Sequence, residues 1–244
     1  MIYGATFVCG VSLLNEKLCQ FLWNDLSFQK GLGIVLLIYI AGMLLQELGS
    51  AVDKYWTNIY KGMHRSILTG EKIRNFDKET SNCVFENPVV LSKYRDSAKE
   101  LLEKIEMDTN GDWYNNKYYN GYIFSLSQYY VSIKGRDKKV EKLRALFSMS
   151  KTLMSCFFLL AICALGTLAF NIEMFINICS NLGFTTHGCE QCMDKIIMIV
   201  VFLGIGFVFK SRAKRTMRNF LLILLGTYNA ILEEENKNDK TNRG

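Results

Sequence analysis

Two uncharged hydrophobic runs in the second half of the chain constrain it more than any other feature. Thr152 to Ile172 reads TLMSCFFLLAICALGTLAFNI without a charged residue, and about 20 such residues, rising about 1.5 Å each, cross the hydrocarbon of a bilayer. Ile196 to Phe209, IIMIVVFLGIGFVF, is shorter, but Asp194, Lys195 and Lys210 flank it and the lysines can snorkel to the headgroups. A core helix of a soluble protein can be this apolar over about 12 residues. Two charge-flanked runs in succession predict a transmembrane pair instead. The segment between them, Glu173 to Lys195, is then expected on one face of the membrane and the flanking chain on the other.

Two more apolar runs lie near the N-terminus. Met1 to Asn15 is uncharged, with no basic residue before it and no small-residue cleavage site after it, so it reads as retained rather than as a signal peptide. Fifteen residues barely span, leaving a full helix, a tilted one or half of a re-entrant pair. Gly31 to Gln46, GLGIVLLIYIAGMLLQ, continues without a breaker into Val52 and predicts a spanning helix that protrudes as a stalk. Half the residues are hydrophobic and one is proline, which excludes disordered and fibrous classes. The expected fold is all-α: a polytopic helical membrane protein of about four transmembrane helices, with a cytoplasmic helical domain inserted between the second and third. Its parts are an N-terminal transmembrane hairpin (1–49), the cytoplasmic helical domain (50–151), a C-terminal transmembrane hairpin (152–209) and a basic cytoplasmic helix and tail (210–244).

In the inserted stretch apolar residues interleave with charge. Tyr55, Ile59, Met63 and Ile67 recur at helical spacing, as do Leu91, Tyr94, Ala98, Leu101, Leu102 and Ile105, predicting two amphipathic helices. Gly70 to Pro88 and Asp108 to Asp112 read as loops. Tyr114 to Ile133 carries six tyrosines and reads as a helix, with short strands as the alternative. Lys138 to Ser150 runs amphipathically into the third span as a second stalk. Phe220 to Leu232 is too short to cross comfortably and is expected to pack on the cytoplasmic domain or lie on the membrane surface. Glu233 to Gly244 is expected to fray.

Lysine and arginine set the orientation. Of 29 in the chain, 26 fall in 50–151 and 210–244; Lys17, Lys30 and Lys195 are the others. The positive-inside rule then puts both termini and the inserted domain in the cytoplasm. The net charge of +6 is spread along the chain, and most of it sits beside membrane segments, so it reads as topology before it reads as a nucleic-acid surface. The cluster Lys210 to Arg218 would also favour anionic lipid, at about 1 kcal/mol per charge near the surface.

The reactive residues suggest little catalysis. His187, Cys189 and Cys192, with Cys179 upstream, form a C-x-x-C neighbourhood that could hold a disulfide, a metal or unpaired structural cysteines. On an exported, oxidising face a disulfide outranks zinc. Glu47, beside Gln46 and Gly49, and Glu173 at the opposite end of a span, could each line an ion path or mark a helix exit. His64 and His187 lie on opposite faces, and no phosphate loop, H-E-x-x-H or G-x-S-x-G occurs. No catalytic, cofactor or metal residue is therefore assigned, and the chain is not expected to be an enzyme. Gly31, Gly33, Ala41, Gly42, Gly204 and Gly206 would let helices approach closely in lipid and favour self-association.

Three patches, Tyr39 to Gly49, Val140 to Phe147 and Arg212 to Arg215, give a loose pattern. It resembles the small multi-pass membrane accessory and effector proteins of bacterial defence islands, of the type VI-B CRISPR accessory and adenosine-deaminase defence kinds. One branch of these carries an RNase-like R-x(4 to 6)-H motif; neither histidine here follows an arginine at that spacing, so no RNase role carries over. The resemblance implies a multi-pass bacterial inner-membrane protein in antiphage defence that oligomerises and perturbs membrane integrity or anchors a cytoplasmic defence partner. The implied partners are membrane lipid, further copies of the chain and that defence protein, with nucleic acid disfavoured. A channel or transporter component is the alternative, opposed by the scarcity of polar residues in the spans.

Overall fold

The structure, a computed structural model, describes residues 2–14, 20, 28–65, 67–68, 88–179 and 187–241. Every regular element among them is helical: α1 (Ile2–Leu14), α2 (Phe28–Val52), a π-helical turn (Asp53–Thr57), α3 (Ile59–His64), α4 (Pro88–Lys104), a 3-10 turn (Trp113–Asn115), α5 (Lys117–Ile133), α6 (Lys138–Cys179) and α7 (His187–Thr241). Three helices, Gly31–Thr57, Lys138–Ala169 and Met193–Glu235, contain stretches long and apolar enough to cross a membrane. The 13 residues of α1 rise only about 20 Å, short of a hydrocarbon layer of about 30 Å.

Several boundaries differ from those read in the sequence. At 42 residues α6 runs past Ile172 to Cys179, and α7 begins at His187, so the segment expected as a loop over 173–195 is largely helical; residues 180–186 lie outside the described set. Phe220 to Leu232 is not a separate helix but the continuation of the 55-residue α7. The expected frayed tail is helical through Thr241, because its first glutamates are held by ion pairs. The single helix expected from Tyr55 to Ile67 is broken: Asn58 sits at φ 47° between the π-helical turn and α3, and Tyr55 is left exposed while Ile59, Met63 and Ile67 are buried.

The chain divides into two compact units, unit 1 comprising Met1–Asp53 and Ser148–Arg212, and unit 2 comprising Lys54–Phe147 and Ala213–Gly244. Both α6 and α7 contribute residues to each. In unit 1, Leu45, Cys156, Leu160, Ala161, Ala164, Ile199 and Phe202 form the core. Missing side chains let the helices close on one another: a methyl added at Gly4 would collide with the Ile38 carbonyl oxygen, one at Gly10 would fall 2.6 Å from Leu160, and one at Gly49 3.2 Å from the Thr152 backbone. Small residues at such contacts are how helices gain dispersion energy in lipid, where no hydrophobic force draws them together. The outward faces carry Leu32, Leu36, Leu44, Val200, Phe207 and Val208, all exposed, a surface compatible with a membrane.

Unit 2 has a larger core, in which α4, α5 and the distal part of α7 meet through Leu91, Leu102, Ile123, Phe124, Phe220, Leu224 and Tyr228. Helix α5 starts on Asn116, whose side chain accepts from the Tyr118 amide at 2.9 Å, satisfying one of the amides a helix start leaves open. It stops on a glycine: Gly135 takes φ 63° and the Arg136 amide returns to the Val131 carbonyl at 3.1 Å, the six-to-one bond that closes a helix over a left-handed residue.

Candidate functional site

The polar chemistry of unit 1 gathers where α2 ends. Among the described side chains of α2 the buried positions are Gly42, Leu45 and Gly49, one per turn, and the same face continues onto Asp53, the first residue of the π-helical turn, whose carboxylate is only 5% exposed. Glu47, the acid the sequence singled out, lies off that face and is exposed. Ser50 accepts from the Lys151 ammonium at 3.3 Å, tying α2 to α6 one turn before Asp53. The backbone then widens into the π-helical turn Asp53–Thr57, a deformation that recurs where function demands a local break in helix geometry. Three other buried hydroxyls of unit 1 serve their own helices: Ser12 donates to the Cys9 carbonyl at 2.8 Å, Thr152 to that of Ser148 at 3.0 Å and Ser155 to that of Lys151 at 3.2 Å.

Between α1 and α2 lies an apolar cleft of about 590 Å³, lined by Phe7, Val8, Val11, Leu36, Ile40 and Leu44. Gly42 is consumed inside the unit, its amide 2.9 Å from where a side chain on Gly4 would start, and Gly206 lies under the Phe158 ring. Gly31, Gly33 and Gly204 face open space. The six small residues therefore do not form one face. Glu173 and the side chains of Cys179, His187, Cys189 and Cys192 lie outside the described residues, with only the backbone of these positions placed, in α6 and α7. Cys9 is exposed and Cys156 buried, both without a disulfide. Among the described residues no cluster of His, Cys, Asp and Glu could hold a metal ion.

In unit 2 the polar groups hold elements together. Asn120, fully buried, accepts the Leu68 amide at 2.8 Å and donates to the carbonyls of Tyr114 and Asn116 at 2.7 and 2.9 Å. Arg95 donates to the Leu68 carbonyl at 2.9 Å and lies 3.7 Å over the Tyr114 ring. His64, half-buried, has its Nδ1 2.6 Å from the Tyr60 carbonyl oxygen and lies against the rings of Tyr60 and Phe124. Three consecutive glutamates late in α7 clasp neighbouring elements: Glu233 pairs with Lys93 of α4 at 2.7 Å, Glu234 with Arg136 through two bonds of 3.0 and 2.8 Å, and Glu235 with Lys134 at 2.6 Å. Hydrogen bonding to Lys93 and Arg136 holds the Glu233 and Glu234 carboxyls below the usual range. Known protein families, curated proteins and solved structures give no match to this chain.

Asp53, Asn120 and the glutamate clasp were not singled out from the sequence. For Asp53 the signal was available, since the spacing 42, 45, 49, 53 continues the apolar face of α2 onto the acid. Asn120 takes local carbonyls as well, but the Leu68 amide it accepts and the glutamates' partners lie 52 or more residues away, and nothing local announces them.

Proposed function

We propose that the chain is a multi-pass membrane effector or accessory protein: unit 2 engages a partner outside the hydrocarbon, copies associate, and the associated bundles perturb the membrane or anchor the partner. The carrying observation is that α6 and α7 each run unbroken from an apolar span into unit 2. At 42 and 55 residues they are far longer than the about 20 residues a span needs. A continuous helix shared by two units is the simplest route by which an event in one biases the other. The antiphage setting and the bacterial inner membrane rest on the three sequence patches. Against a channel formed by one copy, the buried hydroxyls of Ser12, Thr152 and Ser155 bond carbonyls of their own helices.

The test is expression with each candidate partner while membrane potential is followed with a voltage-sensitive dye. Depolarisation is expected with the activating partner. Gly204→Leu is expected to abolish it, because Gly204 lies in open space and a larger side chain there alters the surface offered to another copy without disturbing the fold. A chain that stays monomeric in nanodiscs and leaves the potential unchanged with every partner overturns the proposal.

A further inference from the structure

The outward line of α2 runs on past the end of its uncharged run. Leu44, Leu48, Ala51 and Tyr55 follow at spacings of four, three and four and are all exposed, which keeps them on one helix face, while Leu45, Gly49 and Asp53 are buried behind it. Up to Ala51 that face is aliphatic. Beyond it come Tyr55, 78% exposed, and Trp56, 59%, with the Lys54 ammonium 4.8 Å from the centre of the Tyr55 ring, within cation–π range. The left-handed Asn58 interrupts the helix just after them, so these rings stay outside while Ile59 and Met63 enter the core of unit 2.

We propose that Tyr55 and Trp56, with Lys54 beside them, seat the end of this helix in the phospholipid headgroup layer. The proposal rests on the membrane reading above and names the lipid contact that fixes the depth of α2. Continuity with the span selects the occupant. Gly31–Thr57 is one helical stretch, long and apolar enough to cross a membrane, and no residue from Gly31 to Gln46 is charged. Ser50 accepts from Lys151, the last charged residue before the uncharged run that starts at Thr152; the two mark one level, where hydrocarbon gives way to headgroups. Tyr55 and Trp56 stand about 8 Å further along the axis, against the about 5–8 Å that headgroups add to each side of the hydrocarbon. Tyrosine and tryptophan concentrate at that depth because the ring is apolar while its O–H or N–H is wet, and an ammonium beside them meets the phosphates. A protein partner fits less well: two rings and one lysine fall far below the roughly 800 Å² per side of a specific interface, whereas a lipid layer sets no such minimum.

The experiment uses the full-length chain in nanodiscs, with the fluorescence of Trp56 taken as the difference between the original chain and Trp56→Phe. Phosphatidylcholine brominated near the top of its acyl chains is expected to quench that difference more strongly than lipid brominated further down, and aqueous iodide is expected to quench it less than it quenches free tryptophan. Leu44→Trp adds a ring on the same face deeper in the span, and its added signal is expected to show the reverse order of the two lipids. Iodide quenching of Trp56 equal to that of free tryptophan, or shielding from iodide without bromine quenching, overturns the headgroup contact; where Leu44→Trp is still quenched by bromine, the membrane reading stands. Absence of bromine quenching at both positions overturns the membrane reading and the proposal with it. A nitroxide on Tyr55→Cys, in a background with the native cysteines replaced, reads the same depth independently from its relaxation by oxygen and by a water-soluble nickel complex, and relaxation by nickel as complete as in water overturns the proposal too.

Discussion

Tyr228 carries a hydroxyl into the core of unit 2, where it is 2% exposed and has no hydrogen-bond partner among the described residues. Burial, more than the neighbouring Tyr130, pushes its pKa up. The ring still packs edge-on against Tyr130, with centroids 5.8 Å apart. An unpaired buried hydroxyl costs the desolvation it never recovers, so Tyr228→Phe is expected to be neutral or stabilising by on the order of 1 kcal/mol, read by denaturant unfolding in mild detergent; a clear loss of stability would mean that the hydroxyl has a partner. The glycines of unit 1 separate just as sharply. A methyl at Gly4 meets the Ile38 carbonyl, a backbone atom that cannot swing away, whereas one at Gly31 meets nothing within 4 Å. Gly4→Ala is expected to cost about 1–3 kcal/mol, and Gly31→Ala to stay within about 0.5 kcal/mol, by the same unfolding measurement.

The end of α7 shows how an element can be held where its own sequence would let it go. Glu233 to Gly244 is polar and, taken alone, would fray. The turn made by Gly135 aims Lys134 and Arg136 at Glu235 and Glu234, while Lys93 reaches Glu233 from α4. These pairs are exposed and each contributes little alone; three on successive residues act together to anchor the last turns. Glu233 and Glu234 titrate below the ordinary 4.5, and Lys93 and Lys134 above the ordinary 10.5. The carboxylates' contribution is therefore complete above pH 4.5 and is lost as the pH falls through their lowered values; that of the lysines is complete below pH 10.5 and is lost as it rises through their raised ones. Amide hydrogen exchange over 233–241, corrected for its intrinsic pH dependence, is expected to quicken a few-fold below about pH 4, in high salt, and in a Glu233→Gln, Glu234→Gln, Glu235→Gln variant. Protection unchanged in that variant would remove the clasp as the cause.

At the scale of the whole molecule, 26 of 29 lysines and arginines lie in two stretches, and the orientation they imply can be tested directly. An impermeant thiol reagent on intact, reduced cells is expected to label Cys189 and Cys192 and to spare Cys83; the reverse pattern would invert the topology. Helical class, the three helices long and apolar enough to cross a membrane and the amphipathic face of α4 were legible in the sequence, because run length and the 3.6-residue period act on neighbours along the chain. The outward position of Glu47 and the inward position of Asp53 were legible too, once the face of α2 is traced through Gly42, Leu45 and Gly49. What only the tertiary structure decided was which small residues close a contact and which stand open, that α7 continues unbroken to Thr241, and that Asn120, Lys93, Lys134 and Arg136 find partners far along the chain. The reason is range: a helix's period and a span's length are properties of adjacent residues, whereas the partner of a buried amide, a glycine or an exposed carboxylate is set by which helices the folded chain brings alongside.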